Sequence, residues 1–137
     1  MTTRPPALLR PEMLAVKDRG GGIRTRPMVT AKVGSRQMLN GVTVIDPGAA
    51  VPLHIHNCEE SVLVLSGTGR VHIDGDEHDV RPRDMTWIPA GVQHFFRNVS
   101  DSAPLEIFWT YASIDATRTI IATGVTTRID EEHGERA

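Results

Sequence analysis

The chain has 137 residues, enough for one domain with its own core, and its 39% hydrophobic and 23% charged residues are the composition of a globular protein. Fifteen Lys and Arg against seventeen Asp and Glu leave a formal charge of −2, with no basic block of the kind that binds nucleic acid. No apolar run approaches the roughly 18 residues of a membrane span, and the single cysteine, Cys58, excludes an intrachain disulfide and fits a cytoplasmic setting.

In chain order, residues 1–22 are expected to form an N-terminal arm. MTTRPPALLRPEM is Pro-rich, lacks the apolar stretch of a signal peptide and carries at most a weak turn around Pro11–Val16. Gly20-Gly21-Gly22 then predicts a flexible joint. The body, residues 23–128, reads as one strand after another. The expected strands are Pro27–Lys32, Met38–Ile45, Val51–His56, Ser61–Ser66, Gly69–Ile73, His78–Val80, Met85–Ile88, His94–Asn98, Leu105–Tyr111 and Thr119–Thr123. Asp46-Pro47-Gly48, Ser66-Gly67, Asp74-Gly75-Asp76, Arg81-Pro82-Arg83 and Pro89-Ala90-Gly91 supply turn chemistry between them, Asp74-Gly75 being a strong hairpin signal. Many short strands with dense turns predict an all-β barrel or sandwich. The tail, residues 129–137, is charged and is expected to fray or lie on the surface.

The chemistry concentrates in two stretches. In GAAVPLHIHNCEESVLVLSG, residues 48–67, His54 and His56 stand two apart and so share one face of a strand. Glu60 follows the short Asn57-Cys58-Glu59 connection, where a hairpin folds it back beside the imidazoles. In PAGVQHFFRN, residues 89–98, a tight turn precedes His94, and a barrel is able to bring that strand opposite the first. Imidazoles and a carboxylate converging from separate strands suit a first-row transition metal.

These stretches resemble the two motifs of the cupin superfamily. Gly48, His54, His56, Glu60 and Gly67 match the first; Pro89, Gly91, His94 and Asn98 match the second. The departure is Arg83, which stands where the second motif opens on glycine; a somewhat different backbone is expected there, with no effect on the metal. The resemblance spans residues 48–98. It implies an all-β fold, a single cupin (jelly-roll type) β-barrel with an extended N-terminal arm. It also implies one divalent transition-metal ion, of Fe, Mn, Ni, Zn or Cu, held by His54, His56, Glu60 and His94.

Strand parity turns Phe96 into the cavity with His94 and Phe95 outward. Met38, Trp109 and Tyr111 join Phe96 as expected substrate-pocket residues, Tyr111 offering a phenolic hydroxyl. Cys58 is expected as a loop thiol, Glu59 as a surface carboxylate, and His72 and His78 at a hairpin rim. Gln37 and Gln93 lie near the mouth. Arg24 and Arg26 alternate along the edge of the first strand, where strand arginines are usually solvated. With no nucleophile elbow, phosphate loop or dinucleotide fingerprint, any reaction rests on the metal and a few side chains. The resemblance implies a metalloenzyme acting on a small oxygenated organic molecule, by dioxygenase-type or isomerase/lyase-type chemistry. The alternative is a non-catalytic small-molecule-binding or sensor cupin. A homodimer is expected, with the arm added to a partner's sheet edge, and neither nucleic acid nor membrane is an expected partner.

Overall fold

Alternation of buried and solvent-facing side chains builds this chain into two sheets packed face to face. The computed structural model describes residues 4–134. Its strands are β1 (Lys17–Gly20), β2 (Ile23–Pro27), β3 (Leu39–Ile45), β4 (His54–His56), β5 (Glu60–Ser66), β6 (Gly69–Ile73), β7 (Asp76–Val80) and β8 (Met85–Ile88). They continue as β9 (His94–Asn98), β10 (Leu105–Tyr111), β11 (Thr117–Ile120) and β12 (Thr126–Arg128), followed by one helical turn, α1 (Ile129–Glu132). One sheet has the order β1-β2-β3-β10-β5-β8 and the other β12-β11-β4-β9-β6-β7, with antiparallel pairing throughout. This is a jelly-roll barrel. No described helix is long and apolar enough to cross a membrane.

Every second residue of β3 and β10 is buried. Ile45, Val62, Val64, Val71, Leu105 and Ile107 thereby meet in the space between the sheets. Each such side chain removed from water contributes about 1.5–3 kcal/mol. Polar residues also point inward, and His54, Glu60, His94 and Arg118 line one cavity together with apolar side chains of the core.

Several expected elements shift. The first strand of the body is Ile23–Pro27, not Pro27–Lys32: Asn40 caps both ends of the bend at Met28 and Val29, and a 3-10 turn follows at Ala31–Val33. The ladder of β4 begins at His54 because Pro52 has no N–H to give; Ala50 makes only an isolated bridge to Arg97. The strand expected at Thr119–Thr123 lies two residues earlier, since Ile120 already begins the turn into β12. Gly20, Gly21 and Gly22, all at positive φ, form the hairpin turn between β1 and β2 and not a loose joint. The tail does not fray within the described residues, for Ile129 is fully buried.

The turn at Asp74-Gly75 closes β6 onto β7 with both residues at positive φ, as a two-residue hairpin requires. Arg83 lies in the turn that precedes β8. Its φ is +80°, the left-handed conformation a glycine would adopt, inside a turn closed by Asp84 N–H to Arg81 O at 3.1 Å.

Candidate metal centre

Sheet register places the candidate ligands. His54 of β4 pairs directly with His94 of β9, and their rings lie 4.3 Å apart between centroids. His56, one pleat further along β4, brings its ring to 4.7 Å from His54 and 5.0 Å from His94. Glu60 opens β5 in the opposite sheet and reaches across, its Oε1 at 3.0 Å from His94 Nε2 and its Oε2 at 3.6 Å from His56 Nε2. One ring nitrogen from each histidine lies within 4.8 Å of the other two. All four side chains are buried.

The orientation of the rings is fixed from behind. His54 Nδ1–H donates to Pro52 O at 2.6 Å, His56 Nδ1–H to Thr117 O at 2.9 Å, and His94 Nδ1–H to Val92 O at 2.8 Å. Carbonyl oxygens only accept, so each Nδ1 carries its proton; the Nε2 of His54 and of His56 turns a lone pair inward, while His94 Nε2 faces the Glu60 carboxylate. Two of the three carbonyls belong to residues just two positions before their histidine, so the local chain itself aims the ring.

Three inward Nε2 atoms and a carboxylate crowd one point. His56 Nε2 has no hydrogen-bond partner among the described residues, and the His94–Glu60 contact needs a shared proton or a cation to be favourable. Burial pushes His54 far below the usual histidine range and His56 down to about 4, so neither supplies positive charge near neutral pH. Burial works to raise the Glu60 carboxyl, but the contact with His94 and the charge of its neighbours, Arg118 among them, outweigh it. A divalent ion fits this donor set in kind and in charge: neutral imidazoles and an ionised carboxylate are its preferred ligands.

Phe96, Trp109 and Tyr111 line the same cavity, with Val51, Ile107 and Thr43. The Tyr111 ring meets His56 edge-on at 4.7 Å, and burial together with the Glu60 charge raises its hydroxyl well above the usual phenol range. Trp109 Nε1–H donates to Thr43 Oγ1 at 2.8 Å. Met38 does not line this cavity: it is 46% exposed and lines a second groove with Gln37, Glu59 and Trp87, which Glu60 and Tyr111 also border.

Cys58 is half-buried against the core, and burial raises its thiol. Glu59 accepts the Trp87 indole N–H at 2.7 Å on the outside of the barrel. His72 stacks on Phe95 at 5.1 Å, and Arg24 is engaged by Asp46 through two hydrogen bonds at the surface. Sequence reading missed Arg118, Arg19 and His133, which also line the cavity. Arg118 faces inward because it pairs with His56 across β11 and β4. Arg118 lies one residue before the expected strand at Thr119, so the displaced strand start hid its place in β11.

Comparison with known proteins agrees with this geometry. The sequence profile of the cupin domain matches residues 41–111. Over 107 residues the chain is 32% identical to polyketide synthase CurC of Streptomyces cyaneus, which covers 73% of this chain and 69% of that relative. It is 34% identical over 86 residues to protein SchB of Streptomyces halstedii and spans 62% of that protein's length. Among solved structures, the polyketide cyclase RemF of Streptomyces resistomycificus superposes with a TM-score of 0.73 at 15% identity, covering 91% of this chain and 86% of that one. At that identity the likeness is one of fold.

Proposed function

Given that the chain belongs to the cupin domain family, we propose that it is a metal-dependent enzyme acting on a small oxygenated organic molecule, with one divalent ion held by His54, His56, Glu60 and His94. The observation that carries this reading is the convergence of three imidazole Nε2 atoms on a buried carboxylate, with His56 Nε2 left unpartnered. Fe, Mn, Ni, Zn and Cu all accept such a donor set. When bound, the ion supplies Lewis-acid polarisation of a substrate oxygen.

The protein's own residues supply the rest. Tyr111 keeps its proton and offers an O–H to an oxygen that gains negative charge during reaction. Phe96, Trp109 and Ile107 wall the cavity and exclude bulk water. Similarity to a polyketide synthase over most of the chain supports an oxygenated substrate of polyketide type. Non-redox lyase, isomerase or cyclisation chemistry on such a compound needs only a polarised carbonyl and a proton donor, and both are within reach. A homodimer is part of the same proposal, supported by an N-terminal arm that leaves Leu8 and Met13 exposed.

Elemental analysis is the direct test. The purified protein is expected to carry about one transition-metal ion per chain, and His56→Ala to lose most of it. Full occupancy in that variant would overturn the ligand assignment. Turnover of a panel of diketones, hydroxy acids and catechols under anaerobic conditions supports the non-redox chemistry. Strict dependence on dioxygen, with its uptake, would replace it by a dioxygenase reaction.

A further inference from the structure

Arg118 is buried beside the candidate metal centre and is not one of its proposed ligands. It stands across the sheet from His56 and is 5% exposed. A guanidinium withdrawn from water is costly unless paired. Its Nη1–H donates to Glu132 Oε2 at 2.6 Å and its Nη2–H to the Tyr111 hydroxyl at 3.4 Å, while Nε finds no partner among the described residues. Arg19, from β1, donates to the same Glu132 oxygen at 3.5 Å. Two guanidiniums that line the cavity thus share one carboxylate, delivered by α1. The other oxygen of Glu132 accepts Thr127 Oγ1–H at 2.6 Å.

This arrangement is incomplete as a pairing. A guanidinium is a planar fork built for two-pronged recognition of a carboxylate, and Glu132 takes only one prong of Arg118. The free space left in the cavity is about 30 Å³, room for water but not for an organic acid. A ligand that enters must displace something, and the group that best matches an incoming carboxylate is the carboxylate already there.

We infer that Arg118 and Arg19 form a carboxylate-binding subsite next to the metal, occupied by Glu132 until a ligand replaces it, and that the substrate is a small carboxylate anion. The inference rests on the proposed function only for the role of that anion as substrate; the subsite itself uses no metal. Exchange of one carboxylate for another leaves the charge of the cavity unchanged. It requires only that α1, a single turn, moves its side chain aside.

Isothermal titration of the full-length protein with propionate, and with propionamide as the uncharged isostere, tests this while elemental analysis follows the metal. Propionate is expected to bind and propionamide not. Glu132→Gln removes the competing charge and is expected to tighten propionate binding about tenfold; Arg118→Met is expected to weaken it by about tenfold or more. Unchanged affinity in Glu132→Gln, or equal binding of the acid and its amide, would overturn the subsite. So would full binding in Arg118→Met, which would put the carboxylate on the metal alone. Should Arg118→Met not fold, Arg19→Met and Glu132→Gln carry the test. Propionate binding that follows these charges in protein devoid of metal would uphold the subsite and count against the metal reading alone. A fully metallated protein that ignores propionate would do the reverse.

Discussion

Arg83 holds a φ of +80°, a conformation that brings Cβ against the backbone and costs an L-residue about 1–2 kcal/mol. The turn tolerates it because Arg83 N–H donates to Val64 O at 2.8 Å and Asp84 Oδ2 accepts the Arg81 N–H at 3.0 Å. With Pro82 before it, Arg83 occupies the position where a type II turn favours glycine. Arg83→Gly is therefore expected to stabilise the protein by up to about 1 kcal/mol, less than the full strain because glycine loses more freedom on folding. Urea unfolding measures it, and bound metal should not change. Gly67 is the opposite case: a Cβ there would come within 2.2 Å of Pro104 O. At this scale the meeting of His54, His56, Glu60 and His94 was legible, because two-residue spacing on a strand and a motif with fixed gaps both survive in one dimension. Arg118, Glu132 and Arg19 were not. Their meeting depends on pairing between strands distant in sequence, and a charged residue taken alone reads as solvated.

Strands with an apolar inward face, such as Leu39–Ile45 and Leu105–Tyr111, announced themselves through their alternation. The short polar ones did not. Nothing in Lys17–Gly20 or Thr126–Arg128 is fully buried, so hydrophobic periodicity has no purchase on them, and they are held by the ladders of β2 and β11. The helical turn α1 was concealed by its own acids. Its anchor is the single apolar Ile129, and its Glu132 is bound by three side chains, Arg19, Arg118 and Thr127. Three consecutive acidic residues in its first turn read in sequence as a solvated tail, although acidic residues are also what the start of a helix favours. The hairpin at Asp74-Gly75 was legible for the contrary reason: two residues alone determine its backbone.

For the molecule as a whole, buried neutral histidines set the response to acid. Burial and the nearby charges of Arg19 and Arg118 push His133 down to about 3 from an ordinary 6.5. Between those values the unfolded chain binds a proton that the folded chain refuses, so stability is complete above pH 6.5 and falls as pH drops toward 3. His56, lowered to about 4, acts in the same direction in metal-free protein. Each such group costs about 1.4 kcal/mol per pH unit inside its window. Thermal melts of chelator-treated protein are expected to show a lower midpoint at pH 5 than at pH 7, and His133→Gln to make that difference smaller. An equal difference in the variant would remove His133 from this account. The two tryptophans extend the reach of such measurements. Trp109 is buried in the cavity wall, 5.0 Å from the His133 ring, whereas Trp87 is 65% exposed on the outer face. The barrel therefore carries two optical labels: one indole facing the ligand chamber, the other facing solvent. Loading the histidines with an ion of partly filled d shell should dim the blue-shifted emission of the first, leaving the red-shifted emission of the second for iodide to quench. A spectrum in which both fade together would mean that the ion has settled elsewhere.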